Sequence, residues 1–183
     1  TGNSRLGGDD LDDLLVDLLA ERFLAEHQID LRDDLLTLRR LKDAAEAAKC
    51  ELSTAVETLV SLPFISYRDG QPLHLEIAVT RDEFEDLIEP LVRETIDCCR
   101  KGLRDAGLKP ESIQRVILVG GSTRIPLVQE SVEEFFGLTP FKGVNPDEVV
   151  AIGAATQGAV LNGELDEVVL LDVTPHNLGI EIR

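Results

Sequence analysis

Val116-Ile117-Leu118-Val119-Gly120-Gly121-Ser122-Thr123-Arg124-Ile125-Pro126 is the stretch that decides the fold class. Four consecutive aliphatic residues predict a short buried strand of the parallel type. Pro126 suits the first turn of a helix, which the pattern extends to Phe136. A strand passing through a glycine turn into a helix is an α/β unit. The same turn is a place where chemistry can reside. Gly120 and Gly121 allow close backbone approach to a ligand, and a helix N-terminus behind Ser122 suits an anion or a nucleotide. Arg124 has the chemistry to stack on a base or pair with a phosphate. A glycine pair after a strand is more often just a tight turn. The stretch is neither a Walker loop nor a G-x-G-x-x-G fingerprint.

Working back toward the N-terminus, Thr80-Arg81-Asp82-Glu83 is a capping box that opens helical sequence continuing past Pro90 to Ala106. Before it, Thr58, Val60, Leu62 and Phe64 alternate, as do Leu73, Leu75, Ile77 and Val79, with Asp69-Gly70 between them. That pattern predicts a β-hairpin closed by a tight turn. Leu35, Leu38, Leu41, Ala45, Ala48 and Leu52 form one stripe of a helix over about 34–52. Leu11, Leu14, Leu15, Leu18 and Leu19 mark an earlier helix ending near His27, with acids crowding its first turn. Toward the C-terminus, Asn145-Pro146-Asp147-Glu148 predicts a helix start, followed by a face of small residues up to about Val160. Val168–Leu171 and Leu178–Arg183 are apolar and extended in pattern. The order predicts mixed α/β architecture in two subdomains, a hairpin-bearing one over about 30–90 and a second built from the two ends of the chain.

Composition narrows the function. The 183 residues carry 18 Lys+Arg against 35 Asp+Glu, a net charge of −17. Such an excess repels phosphates along most approaches, which argues against a broad nucleic-acid or anionic-membrane surface. It leaves room for a small pocket with one or two bases. Aromatics are 4% with no Trp, so stacking platforms for single strands are not expected. Cys50, Cys98 and Cys99 form neither a disulfide framework nor a metal-binding spacing, and suit small hydrophobes in a reducing cytoplasm. His27, His74 and His176 pair with no plausible nucleophile and receive no catalytic role. The chain contains no Met, from which it is expected to be a portion of a longer protein or a processed product.

Further residues have polar-site character only as a group. Leu6-Gly7-Gly8-Asp9-Asp10 is a second glycine pair entering a helix. Glu46, Lys49 and Ser53 share one helical face, with Cys50 beside them, and as a bare pattern this is a solvated face. Asp147 is part of a cap before it is anything else.

Taken in order, these stretches resemble the DnaK-type heat-shock chaperone family of the seventy-kilodalton class. The carriers are Leu6–Asp12, Arg40–Lys49, Val116–Pro126, Val144–Glu148, Ala151–Gly158 and Val169–Pro175, and the match runs over essentially the whole chain. The resemblance implies the second lobe of an actin-like ATPase domain over 1–166. It implies an interdomain linker over 167–175, centred on Val169, Leu170, Leu171 and Asp172, and a truncated first strand of the substrate-binding domain over 176–183. It places Glu46, Lys49, Cys50 and Ser53 against the adenosine of ATP or ADP, with Gly120, Gly121, Ser122, Arg124 and Ile125 as the other wall. Asp147 would sit close to the nucleoside, and Gly8 and Asp9 near the phosphates. Nucleotide-exchange factors, J-domain co-chaperones and unfolded clients are the implied partners of the full-length protein, and Mg²⁺ its metal.

Two departures bear on chemistry. Cys50 stands where many relatives have an Arg or a large aliphatic, so stacking on the base is expected from one side only. His176-Asn177 replaces the usual Leu-Ser. No residues match the family's first phosphate loop, its catalytic lysine or its Asp-x-Gly-Gly-Gly-Thr loop, so hydrolysis is not expected of this chain. Nucleotide affinity is expected to be weak. A pure docking platform for exchange factors is the rival reading, and a small-molecule kinase of the same superfamily a more distant one. Unpaired strand edges also predict self-association or strand exchange, through Val168–Leu171 or Leu178–Ile182.

Overall fold

The computed structural model describes residues 2–3, 5–143 and 145–165. The expected linker at 167–175 and the strand at 176–183 lie outside the described residues. The described chain contains five α-helices and one two-stranded antiparallel sheet, a mixed α/β arrangement.

Helix α1 spans Gly8–His27. The Asp10 carboxylate accepts the Gly7 N–H at 2.7 Å, closing its first turn. Leu11, Leu15, Val16, Leu19, Ala20 and Phe23 are buried along one face, and Leu14 and Leu18 pack at its margin. Helix α2 spans Leu35–Leu52 and is N-capped by Asp34, whose side chain accepts the Thr37 N–H at 2.8 Å. Its buried stripe is Leu41, Ala45, Ala48 and Leu52. Leu35, expected on that stripe, is 82% exposed, because the first turn of α2 extends beyond the core.

Strands β1 (Glu57–Arg68) and β2 (Gln71–Thr80) form the predicted hairpin. Asp69 and Gly70 both adopt positive φ (51° and 76°), the geometry of a type I′ turn. The alternation holds through Leu62 and then breaks. A register shift between Leu62 and Ser66 adds a bulge, so Ile65 turns inward and Phe64, expected inside, turns out. Arg40 on α2 secures the bulge by donating to the carbonyls of Pro63 and Phe64, at 2.7 and 3.0 Å.

Helix α3 spans Arg81–Asp105 and buries Phe84, Ile88, Val92 and Ile96 at successive turns. The Thr80 hydroxyl caps it by accepting the Glu83 N–H at 3.2 Å. The second half of the expected capping box is diverted: the Glu83 carboxylate pairs with Arg22 of α1. That cross-element ion pair ties α3 to α1.

Helix α4 spans Pro126–Phe136 and ends on Gly137 in the left-handed region. Helix α5 spans Val149–Leu161. On its small-residue face, a Cβ at Gly153 or Gly158 would meet nothing within 4 Å. Val116–Val119, expected as a buried strand, forms no strand: among the described residues its one backbone bond outside helices and strands is the Phe141 N–H donated to the Val116 carbonyl at 2.8 Å, and it joins no sheet. Ile117 and Val119 are 50% and 45% exposed there. A run of this kind is buried only when sheet neighbours cover it.

One continuous core joins α1, α2, the hairpin and α3. Ile125, 1% exposed, inserts into it and pins the glycine turn against that body.

Candidate functional site

A cavity of about 580 Å³ opens where three segments converge: the N-terminus of α1, the C-terminal half of α2, and the turn at 121–125. Gly8, Asp9, Glu46, Lys49, Cys50, Ser53, Gly121, Ser122, Arg124, Ile125 and Asp147 all line it. Of the residues singled out from sequence as the nucleotide-binding set, Gly120 alone is not in its wall. Gly120 acts one step back: at φ 94° it redirects the chain, and its N–H donates to the Pro146 carbonyl at 3.0 Å. That bond brings the 145–148 turn, and so Asp147, up to the cavity.

Helical spacing explains the α2 wall. Glu46, Lys49 and Ser53 fall on one face, which borders the buried stripe of Leu41, Ala45, Ala48 and Leu52. Lys49 reaches across to α1, with Nζ 2.7 Å from Asp12 Oδ2 and 3.3 Å from the Gly8 carbonyl. A Cβ at Gly8 would stand 3.2 Å from both Lys49 Nζ and Ser122 Oγ, so glycine here lets three segments meet. Lys49 and Asp12 are each 12% exposed at the side chain. Asp12 Oδ1 is buried with no hydrogen-bond partner.

Arg124 faces them from the other wall. Its Nε and one terminal nitrogen donate to Asp147 Oδ2 at 3.1 and 2.5 Å, and that nitrogen also reaches Asn145 Oδ1 at 3.2 Å. Hydrogen bonding to Asp147 pushes the Arg124 pKa further above its ordinary value. The guanidinium is held by its edge, which leaves its planar faces for stacking. Both cations of the cavity are thus matched by carboxylates, while Asp9 and Glu46 add negative charge. Such a wall suits hydroxyls and a ring system better than a phosphate.

The helix N-terminus behind the glycine turn is not the anion site that its sequence suggests. Residues 121–124 form a 3-10 turn, Pro126 brings no N–H, and the Leu127 N–H donates to Glu85 of α3 at 3.0 Å. The position is already taken by an internal carboxylate.

Two lining residues, Thr54 and Gln129, were not singled out from sequence. Thr54 adjoins Ser53 where α2 unwinds. Gln129 lies one helical turn after Ile125, a spacing that could have identified it. The three thiols are all free. Cys50 is exposed in the cavity wall, whereas burial pushes the Cys99 thiol pKa up.

A family model described as Hsp70 protein matches residues 1–183, the whole of the sequence. Its span covers every segment that builds the cavity, and the mixed α/β fold fits an actin-like ATPase fragment. The chain belongs to the Hsp70 family, the ATP-dependent chaperones.

Proposed function

We propose that this cavity receives the nucleoside portion of ATP or ADP, and that the chain acts as the adenosine-binding half of a chaperone engine. One observation carries the reading: residues far apart in sequence, selected for nucleotide contact, line a single cavity. Its volume falls within the roughly 300–1,000 Å³ common for small-molecule sites. The edge-held Arg124 fits the group. Glu46, Lys49 and Ser53 would offer polar contacts to ribose hydroxyls, and an Arg124 face would lie on the base, with Asp147 nearby. Gly8 and Asp9 would lie toward the phosphates. Mg²⁺ belongs to the proposal for the full-length protein, as do J-domain co-chaperones, unfolded clients and a cytoplasmic location.

Titration with adenosine and with Mg-ADP, followed by nuclear magnetic resonance, tests the reading. Saturable shifts at Glu46, Lys49, Arg124 and Asp147 at millimolar ligand are expected. Shifts confined to other regions, or none, would overturn it. Hydrolysis is expected to stay at background, and turnover well above background would contradict the proposed division of labour.

A second reading is favoured by the outer surface of the hairpin. Leu59, Phe64 and Tyr67 are 63%, 56% and 62% exposed on β1, an apolar surface suited to a protein partner such as a nucleotide-exchange factor. Tight exchange-factor binding in a chain that fails the adenosine titration would favour this platform role.

A further inference from the structure

We infer that Gln129 is a positioning residue that sets the orientation of Arg124 across the cavity, an inference that rests on the nucleoside reading of that cavity. The Gln129 side-chain amide donates to two consecutive carbonyls, those of Thr123 at 3.1 Å and of Arg124 at 3.2 Å. Both carbonyls precede the first turn of α4, where the helix supplies no donors for them. Gln129 sits one turn inside the helix, and side chains on a helix lean toward its N-terminus. That direction carries the amide back onto the turn at 121–125.

Arg124 is therefore clamped at both ends. Gln129 holds its main chain, and Asp147 with Asn145 holds its guanidinium. The side chain between them is 51% exposed and rich in rotamers, so a fixed plane depends on both clamps. Ile125 anchors the next residue in the core, which localises the effect of Gln129 to the turn itself.

The donor character is what matters. Gln129→Glu keeps the shape but sets a carboxylate against two carbonyl oxygens, whereas Gln129→Lys restores a donor. Resonances of Arg124 Nε–H in the ligand-free 183-residue chain provide the direct readout, since that proton is donated to Asp147. In Gln129→Glu its slow exchange with water is expected to be lost and its shift to approach that of a free arginine. Gln129→Lys is expected to retain both. Adenosine affinity should fall roughly tenfold in Gln129→Glu and recover in Gln129→Lys, with melting temperatures close to that of the parent. An unchanged Arg124 Nε–H signal in Gln129→Glu, or equal losses in both variants alongside lowered melting temperatures, would overturn the inference. If the signal responds as expected while adenosine shifts nothing in the parent chain, the clamp stands and the nucleoside reading fails.

Discussion

Lys49 Nζ lies 2.7 Å from Asp12 Oδ2, and this largely buried pair joins α2 to α1 beneath the cavity. The geometry leaves the second Asp12 oxygen buried and unpartnered. The pair therefore holds the cavity floor in place and costs desolvation to do so.

Removing one partner strands the other charge. Lys49→Met is expected to destabilise by about 2–3 kcal/mol, below the cost for a fully buried pair because some solvent reaches both groups. The double variant Lys49→Met/Asp12→Leu should recover most of that loss. Urea denaturation of both variants checks the cycle, and a double variant as unstable as the single one would show that the pair is not the source.

Acid should loosen the junction between α1 and α2 first. Arg32 hydrogen-bonds to Asp30 and holds its pKa below the usual carboxylate value, and the Thr37 N–H does the same for Asp34. A carboxyl whose pKa is lowered on folding contributes stability above its unfolded value, near 3.8 here, and loses it as pH falls through the folded one. Asp34→Asn retains a capping oxygen without the titration. Its melting temperature should change less between pH 5 and pH 3 than that of the parent, as differential scanning fluorimetry would reveal.

The hairpin turn depends on Gly70. Its φ of 76° is strained for any side chain, although a Cβ there would meet no atom within 4 Å. Gly70→Ala should cost about 1 kcal/mol through backbone strain alone. Gly70→Asn, which tolerates the left-handed region better, should cost less. Thermal denaturation separates the two, and equal losses would point to a different cause.

The segment at 116–119 presents an aliphatic edge. Ile117 and Val119 are about half exposed, and no strand among the described residues pairs with them. Concentration-dependent self-association through this edge is expected. Ile117→Lys combined with Val119→Lys should suppress it in sedimentation velocity runs, whereas persistence of the same oligomer would place the interface elsewhere.

Local pattern was enough for α1, α2 and α3, whose apolar stripes are buried in one core, whereas α5 buries no residue. The Asp-Gly turn and the Thr80 cap were likewise legible, since each is a short-range device with its own chemistry. The Phe64 face was not. A bulge places two extra residues in β1 between Leu62 and Ser66, interrupts the alternation there, and is stabilised by Arg40 from another element. The Val116–Val119 run reads identically whether or not neighbouring strands are present, so its burial was not legible either. For the site, type and spacing pointed to the glycine turn and Arg124, while the rest of the wall followed from the family resemblance alone. Only tertiary packing decided that the Glu83 carboxylate turns to Arg22, that Glu85 occupies the start of α4, and that Gln129 grips the carbonyls beside Arg124. The physical reason is reach. A side chain can bond to any partner that the fold brings within about 3 Å, and sequence separation says little about which partner that is.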